Sequence, residues 1–149
     1  MFSSETVPEI SVSNLLEKAA DRWPDSPAVT YEGDIFTWSQ TSDRCQRLAW
    51  ALAGLGVGKG HRVAYLGYNS PSCFELFFAS PMVGAITVPV NFRLSLGEMV
   101  DCISDAEPTV LIVDRHHTEQ ARAISREYPN LAVVACAAQS DTTDSFLSY

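Results

Sequence analysis

The sequence is short of the features that place a chain most quickly. It has no run of about 20 mostly apolar residues, which a membrane-spanning helix needs. Its widest apolar window, residues 74–90, is broken by Glu75, Pro81, Gly84 and Pro89, so no spanning segment is expected. Basic residues are few: Lys and Arg total 10 against 18 Asp and Glu, for a net charge of −8. No Lys/Arg cluster is present. Phosphate backbones are held by such clusters, so nucleic acid is not an expected partner. The four cysteines, Cys45, Cys73, Cys102 and Cys136, form no Cys-x-x-Cys pair. That argues against a zinc or dithiol motif and suits buried thiols in a reducing compartment. The first residues, "MFSSETVPEI", have neither a basic region nor an apolar core and do not read as a secretory signal. The final "LSY" is not the tripeptide that directs proteins to peroxisomes. A cytoplasmic location is the expectation. No Gly-x-Ser-x-Gly elbow exists to mount a nucleophilic serine, and there are no internal repeats.

What is there reads as one globular domain. The chain has 149 residues, 46% of them hydrophobic and 19% charged. Ser13 is placed to cap a first helix, with Glu17 in its first turn and an apolar stripe of Leu15, Leu16, Ala19, Ala20 and Trp23. Pro24 and Pro27 end it. "AVTYEGDIFTW" predicts a hairpin turning at Glu32-Gly33-Asp34. Thr37 and Gln40 form a capping-box pattern before a helix that buries Cys45, Leu48, Ala49 and Leu52. Gln40, Arg44 and Arg47 fall on its other face, and Gly54 and Gly56 stop it.

"HRVAYLG" is a short apolar strand, and Ser70-Pro71 opens a further helix that Pro81 kinks or ends. The β-branched run at residues 86–90 reads as a buried strand, with Pro89 near its end. Ser95 and Glu98 form a second capping box, with Leu96, Met99, Val100 and Ile103 on one face and Pro108 as the stop. "TVLIVD" is apolar throughout, as in a strand covered on both faces. A helix over 118–128 and a strand "LAVVACA" follow. Strand and helix thus alternate from His61 onward. That pattern predicts an α/β fold, a mostly parallel sheet with right-handed crossovers and helices on both faces. The expected organisation is a flexible lead-in over 1–11, the α/β unit over 12–138 and a polar linker over 139–149.

Three patterns invite a chemical reading, and none completes one. "GLGVGKG", residues 54–60, fails as a phosphate loop: Ala53 and Gly60 stand where Gly and Ser/Thr are needed, and it runs from helix into strand. "DRHHTE", residues 114–119, gathers metal-friendly side chains, but adjacent histidines diverge on a helix and no second cluster completes a ligand set. Asp101 and Asp105 share a helix face, which reads as solvated surface. No catalytic, cofactor-binding or metal-binding residue is assigned.

"PMVGAITVPVN", residues 81–91, resembles the second core motif of the AMP-forming acyl-CoA synthetase, or adenylate-forming ligase, family. "FTWSQTSDRCQRLAWAL" is similar to its first core motif and helix. "LGVGKGHRVAYLGYNSPSCFELFFA" resembles the linking strand and helix, and "NFRLSLGEMVDCISDAEPTVLIVD" the segment after them. The four come in the family's order over about residues 12–135, and the wording is closest to the acyl-activating branch abundant in plants. His61 stands where the family has Asp. The resemblance implies the first subdomain of the ligase N-terminal domain, truncated. It implies a reaction in which ATP and a carboxylic or fatty acid give an acyl-adenylate and pyrophosphate, after which coenzyme A displaces AMP. ATP, Mg²⁺ and CoA would serve the full-length family.

The family's Ser/Thr/Gly-rich phosphate loop ending in Pro-Lys-Gly is missing from these 149 residues, as are its adenine-binding motif, ribose-binding Asp, hinge and C-terminal lysine. The expectation is therefore a fragment inactive by itself, with the remainder of the ligase or a second copy of the chain as partner. A non-catalytic interaction or regulatory module that pairs with a full-length ligase is the alternative, and a small flavodoxin-like binding domain a third. Because family members supply sequence beyond Tyr149, the sheet is expected to lie partly uncovered.

Overall fold

Local chemistry sets most of the element ends in the computed structural model, which describes residues 11–136 and 147–148. Apart from Ser11 and residues 147–148, the expected lead-in and linker lie outside those residues. Helix α1 (Val12–Arg22) is capped by Ser11, whose Oγ accepts the Asn14 N–H at 3.1 Å. The cap is thus two residues earlier than Ser13, which falls inside the helix; both serines offer the same hydroxyl, and only the chain path decides between them. Leu16 and Ala19 of the expected stripe are buried, whereas Leu15 and Trp23 are exposed.

Strands β1 (Pro27–Tyr31) and β2 (Asp34–Thr37) form an antiparallel hairpin. Its two turn residues, Glu32 and Gly33, both have positive φ (51° and 95°), the primed-turn geometry that matches strand twist. Helix α2 (Trp38–Gly54) starts with the expected capping box of Thr37 and Gln40. Strand β3 (Arg62–Leu66) leads into helix α3 (Pro71–Met82), which is capped by Ser70 and has Pro71 at its first position. Gly84, with φ of +75°, turns the chain into strand β4 (Ile86–Val90). A Cβ at Gly84 would come within 3.1 Å of the Lys59 backbone.

Helix α4 (Leu96–Ala106) carries the capping box of Ser95 and Glu98 and ends at Glu107 in the left-handed region. Strand β5 (Val110–Val113), helix α5 (Thr118–Glu127), strand β6 (Ala132–Ala135) and the two-residue strand β7 (Leu147–Ser148) complete the order.

The second sheet is parallel, in the order β4-β3-β5-β6-β7. Alternation along each strand sends side chains to two separate cores. Val63, Tyr65, Val110, Ile112 and Val134 face α2 and α3, while Ala64, Leu66, Leu111, Val113 and Val133 face α4 and α5. All four residues of β5 are buried, as its unbroken apolar run implies. The expectation of an uncovered sheet is not met at its centre: the chain's own helices close both faces over β3 and β5.

The buried-strand expectation for β4 holds only in part. The strand forms over the expected residues, but it lies at one edge of the sheet. Ile86 is 55% exposed, Pro89 is exposed, and Val90 alone is buried. An edge tolerates a proline's missing N–H.

Candidate functional site

The connection from β3 through α3 to β4 goes to one side of β3; the next, through α4, steps back across it to β5. The loops after β3 and β5 therefore leave toward opposite faces, since α3 packs in one core and α5 in the other. A crevice opens at the carboxyl ends of strands where such a reversal occurs.

Asp114, the residue after β5, organises this end. Its Oδ2 accepts the Tyr68 N–H at 2.8 Å, and its Oδ1 accepts the N–H groups of His116 (2.9 Å) and His117 (3.1 Å). The His117 ring places Nδ1 2.6 Å from the same Oδ1. A carboxylate only accepts, so the proton sits on Nδ1. Gly67 makes room for this arrangement: a Cβ there would lie 2.8 Å from the Asp114 Cγ. Tyr68 packs edge-on against Phe92 (4.7 Å between centroids) and His117 (4.9 Å). The loops after β3, β4 and β5 thus share one aromatic contact. The Tyr65 hydroxyl donates to the Tyr68 carbonyl at 2.9 Å and lies 3.0 Å from Ser70 Oγ. Burial pushes the Tyr65 phenol up, against the Ser70 hydrogen bond.

Beside these loops, the tip of the β1–β2 hairpin closes a cleft of about 250 Å³. Tyr31 and Glu32 come from the hairpin, Tyr68 and Ser72 from the β3–α3 connection, and Arg115 from the loop after β5. At the amino end of the sheet a larger open groove, about 450 Å³, lies between the ends of α4 and α5, lined by Glu107, Glu127 and Tyr128 among others.

Behind the cleft, α2 and α3 share an ion pair. Arg44 Nε lies 2.5 Å and its second guanidinium nitrogen 3.2 Å from the two Glu75 oxygens. Glu75 is buried, and Arg44 is half-buried rather than turned to solvent as the helix pattern implied. Burial raises the Glu75 carboxyl above its ordinary value, with Arg44 opposing. Burial likewise pushes the Cys45 thiol up to about 12, which keeps it protonated and inert.

The motifs weighed in the sequence resolve into structure. "GLGVGKG" is the turn between α2 and β3. His61 belongs to that turn, its Nδ1 accepting the Gly58 N–H at 3.2 Å. Within "DRHHTE", His117 is buried and His116 exposed, but the two lie in the turn before α5 rather than on a helix, and both rings lie against Tyr68, at 4.9 and 5.3 Å between centroids. Among the described residues no group of three or more His, Cys, Asp or Glu is placed to hold a metal. Asp101 and Asp105 are exposed. Two features escaped the sequence: Asp114 as a hub and the Arg44–Glu75 pair. The only sequence signal for the first was a polar residue ending an apolar strand. For the second it was a lone glutamate in an apolar window.

The family model for AMP-binding enzymes matches residues 16–147. A probable acyl-activating enzyme 22 of Arabidopsis thaliana is 36% identical over 109 residues, 73% of this chain and 20% of that protein. The peroxisomal benzoate–CoA ligase of the same plant is 36% identical over 107 residues, 72% of this chain and 18% of the ligase. A Mycobacterium tuberculosis fatty acyl CoA synthetase superposes with a TM-score of 0.72 at 30% identity, covering 74% of this chain and 22% of the synthetase. The chain thus spans about a fifth of the length of the relatives it matches. With the helices and parallel strands in that shared order, the chain belongs to the AMP-binding enzyme family and corresponds to the N-terminal α/β part of its CoA-ligase members.

Proposed function

We propose that this chain is a scaffold portion of an AMP-forming acid–CoA ligase. The complete enzyme would join a carboxylic acid to coenzyme A. The acid's carboxylate oxygen attacks the α-phosphorus of ATP, pyrophosphate leaves, and the CoA thiolate displaces AMP from the acyl-adenylate. ATP, Mg²⁺ and CoA would be bound by the complete ligase. The observation that carries this reading is the family match over residues 16–147. The described residues contribute packing, a buried ion pair and strand-end loops. The sequence has no Pro-Lys-Gly phosphate loop with which to stabilise charge on a transferred phosphoryl group, so the chain acts as a partner of the remaining ligase rather than alone. No helix among the described residues is long and apolar enough to cross a membrane, and we place the chain in the cytoplasm; imaging of a tagged copy tests that placement.

Two measurements test the function. Acid-dependent ATP–pyrophosphate exchange by the purified chain should stay at background; exchange that survives repurification overturns the scaffold reading. Grafting residues 16–147 in place of the matching stretch of a plant benzoate–CoA ligase should leave a folded enzyme that still forms thioester. A graft that folds but forms none removes the support.

A further inference from the structure

Two surface grooves among the described residues have opposite chemistry. The first runs along α1. It measures about 530 Å³ and is lined by Leu15, Lys18, Asp21, Arg22 and Trp23 among others. Leu15, Lys18 and Arg22 recur at helical spacing and form one stripe. Leu15 and Trp23 are each 52% exposed, and the Arg22 guanidinium lies over the indole, 5.2 Å from its centroid. Two cations against Asp21 leave this surface basic. The second is the groove of about 450 Å³ between the ends of α4 and α5. Glu107 and Glu127 are its charged lining residues, and Pro108, Tyr128 and Pro129 give it an apolar wall. Arg62 approaches the Glu107 carboxylate no closer than 3.5 Å. Both helices end here, so the negative ends of their dipoles add to the two carboxylates.

We propose that the α1 stripe of one copy of this chain docks in the α4–α5 groove of a second copy. Lys18 and Arg22 meet Glu107 and Glu127, an arrangement that fixes partner and register. Trp23 and Leu15 lie against the wall of Pro108, Tyr128 and Pro129; tryptophan and arginine side by side are the residue types that anchor interfaces. Helix α1 packs on α2 and α3, which cover one face of the sheet, whereas α4 and α5 cover the other. The two surfaces therefore lie on opposite sides of the sheet. No copy can fill its own groove, and two copies cannot exchange both contacts at once. The contact is head-to-tail, and it adds copies without closing at a dimer. The net charge of −8 on every copy opposes the approach, so the contact is weak, with a Kd between about 10 μM and 1 mM. It does not depend on the ligase reading, because it needs only these two surfaces.

Sedimentation equilibrium of the 149-residue chain up to about 1 mM is the test. The average mass should rise with concentration and pass that of a dimer. Two charge-reversed variants separate this contact from any other. Lys18→Glu with Arg22→Glu makes the stripe acidic, and Glu107→Lys with Glu127→Lys makes the groove basic. Each should weaken association at least about tenfold. The second variant brings the net charge closer to zero, so its loss of association cannot come from added repulsion. Mixed one to one, the two variants should associate again, because each stripe then meets a groove of opposite charge on the other variant. All four positions are exposed, and circular dichroism checks that each variant folds. A wild-type chain that stays monomeric, a mass that levels off at a dimer, either variant associating as the wild type does, or a mixture that stays monomeric overturns the proposal.

Discussion

Asp114 shows how much one side chain can hold. Its two oxygens tie the loop after β3 to the loop after β5 and fix the His117 ring. This works because Gly67 leaves the space its own Cβ would fill. Gly67→Ala would press a methyl carbon against the Asp114 carboxyl, 2.8 Å from its Cγ. Relief requires turning the carboxylate away from buried N–H groups. A loss of about 1–3 kcal/mol is expected, measurable as a lower denaturant midpoint with an unchanged m-value. The hub was not legible in advance. Tyr68 and Asp114 are 46 positions apart, and no local pattern announces a contact across two strands. The caps of α2 and α4 illustrate the contrast: the Thr37–Gln40 and Ser95–Glu98 boxes are closed within four residues and could be read directly. Ser11 against Ser13 could not, since either could cap the same helix.

Among elements, the junction of α2 and α3 carries the more deeply buried of the two buried carboxylates among the described residues, Glu75 at 2% exposure against Asp114 at 9%. Glu75 has a folded-state pKa above its ordinary value of 4.5, because burial penalises the charged form more than Arg44 favours it. The folded state therefore holds this proton more tightly than the unfolded chain. This contribution to stability is full at acid pH below 4.5, is lost as pH rises through the raised folded-state value, and is flat above it. Glu75→Gln should remove that part of the decline, seen by comparing thermal melts of the two proteins across the acid range; an identical pH profile would sink the assignment. Removing Arg44 instead leaves the charge unpaired. The Arg44 side chain is 34% exposed, so the cost should be about 1–3 kcal/mol rather than the larger penalty of a fully buried pair. Strand β4 marks where element reading stopped short. Ile86–Val90 was recognisable as a strand from its β-branched residues, but its place at the sheet edge depends on strand order, which the sequence does not state locally.

At the scale of the molecule, the parallel sheet separates two apolar cores, one under α2 and α3 and one under α4 and α5. Helix–strand alternation made the architecture legible, because each crossover must cover a face of the sheet. Leu52 and Ile103 are fully buried on opposite sides. Layers packed on a sheet lie about 10 Å from its plane on each side, beyond the range at which substitutions usually couple. Leu52→Ala and Ile103→Val should each cost what a cavity of that size costs, about 2–5 and about 0.5–1.5 kcal/mol. Their double mutant should match the sum to within about 0.5 kcal/mol. A coupling well above that would mean the sheet transmits strain. If additivity holds, β3 and β5 act as a party wall between two rooms. Each room can be refurnished by mutation without consulting the other, and only the wall has to satisfy both tenants, which makes its alternating residues the slowest part of the chain to drift.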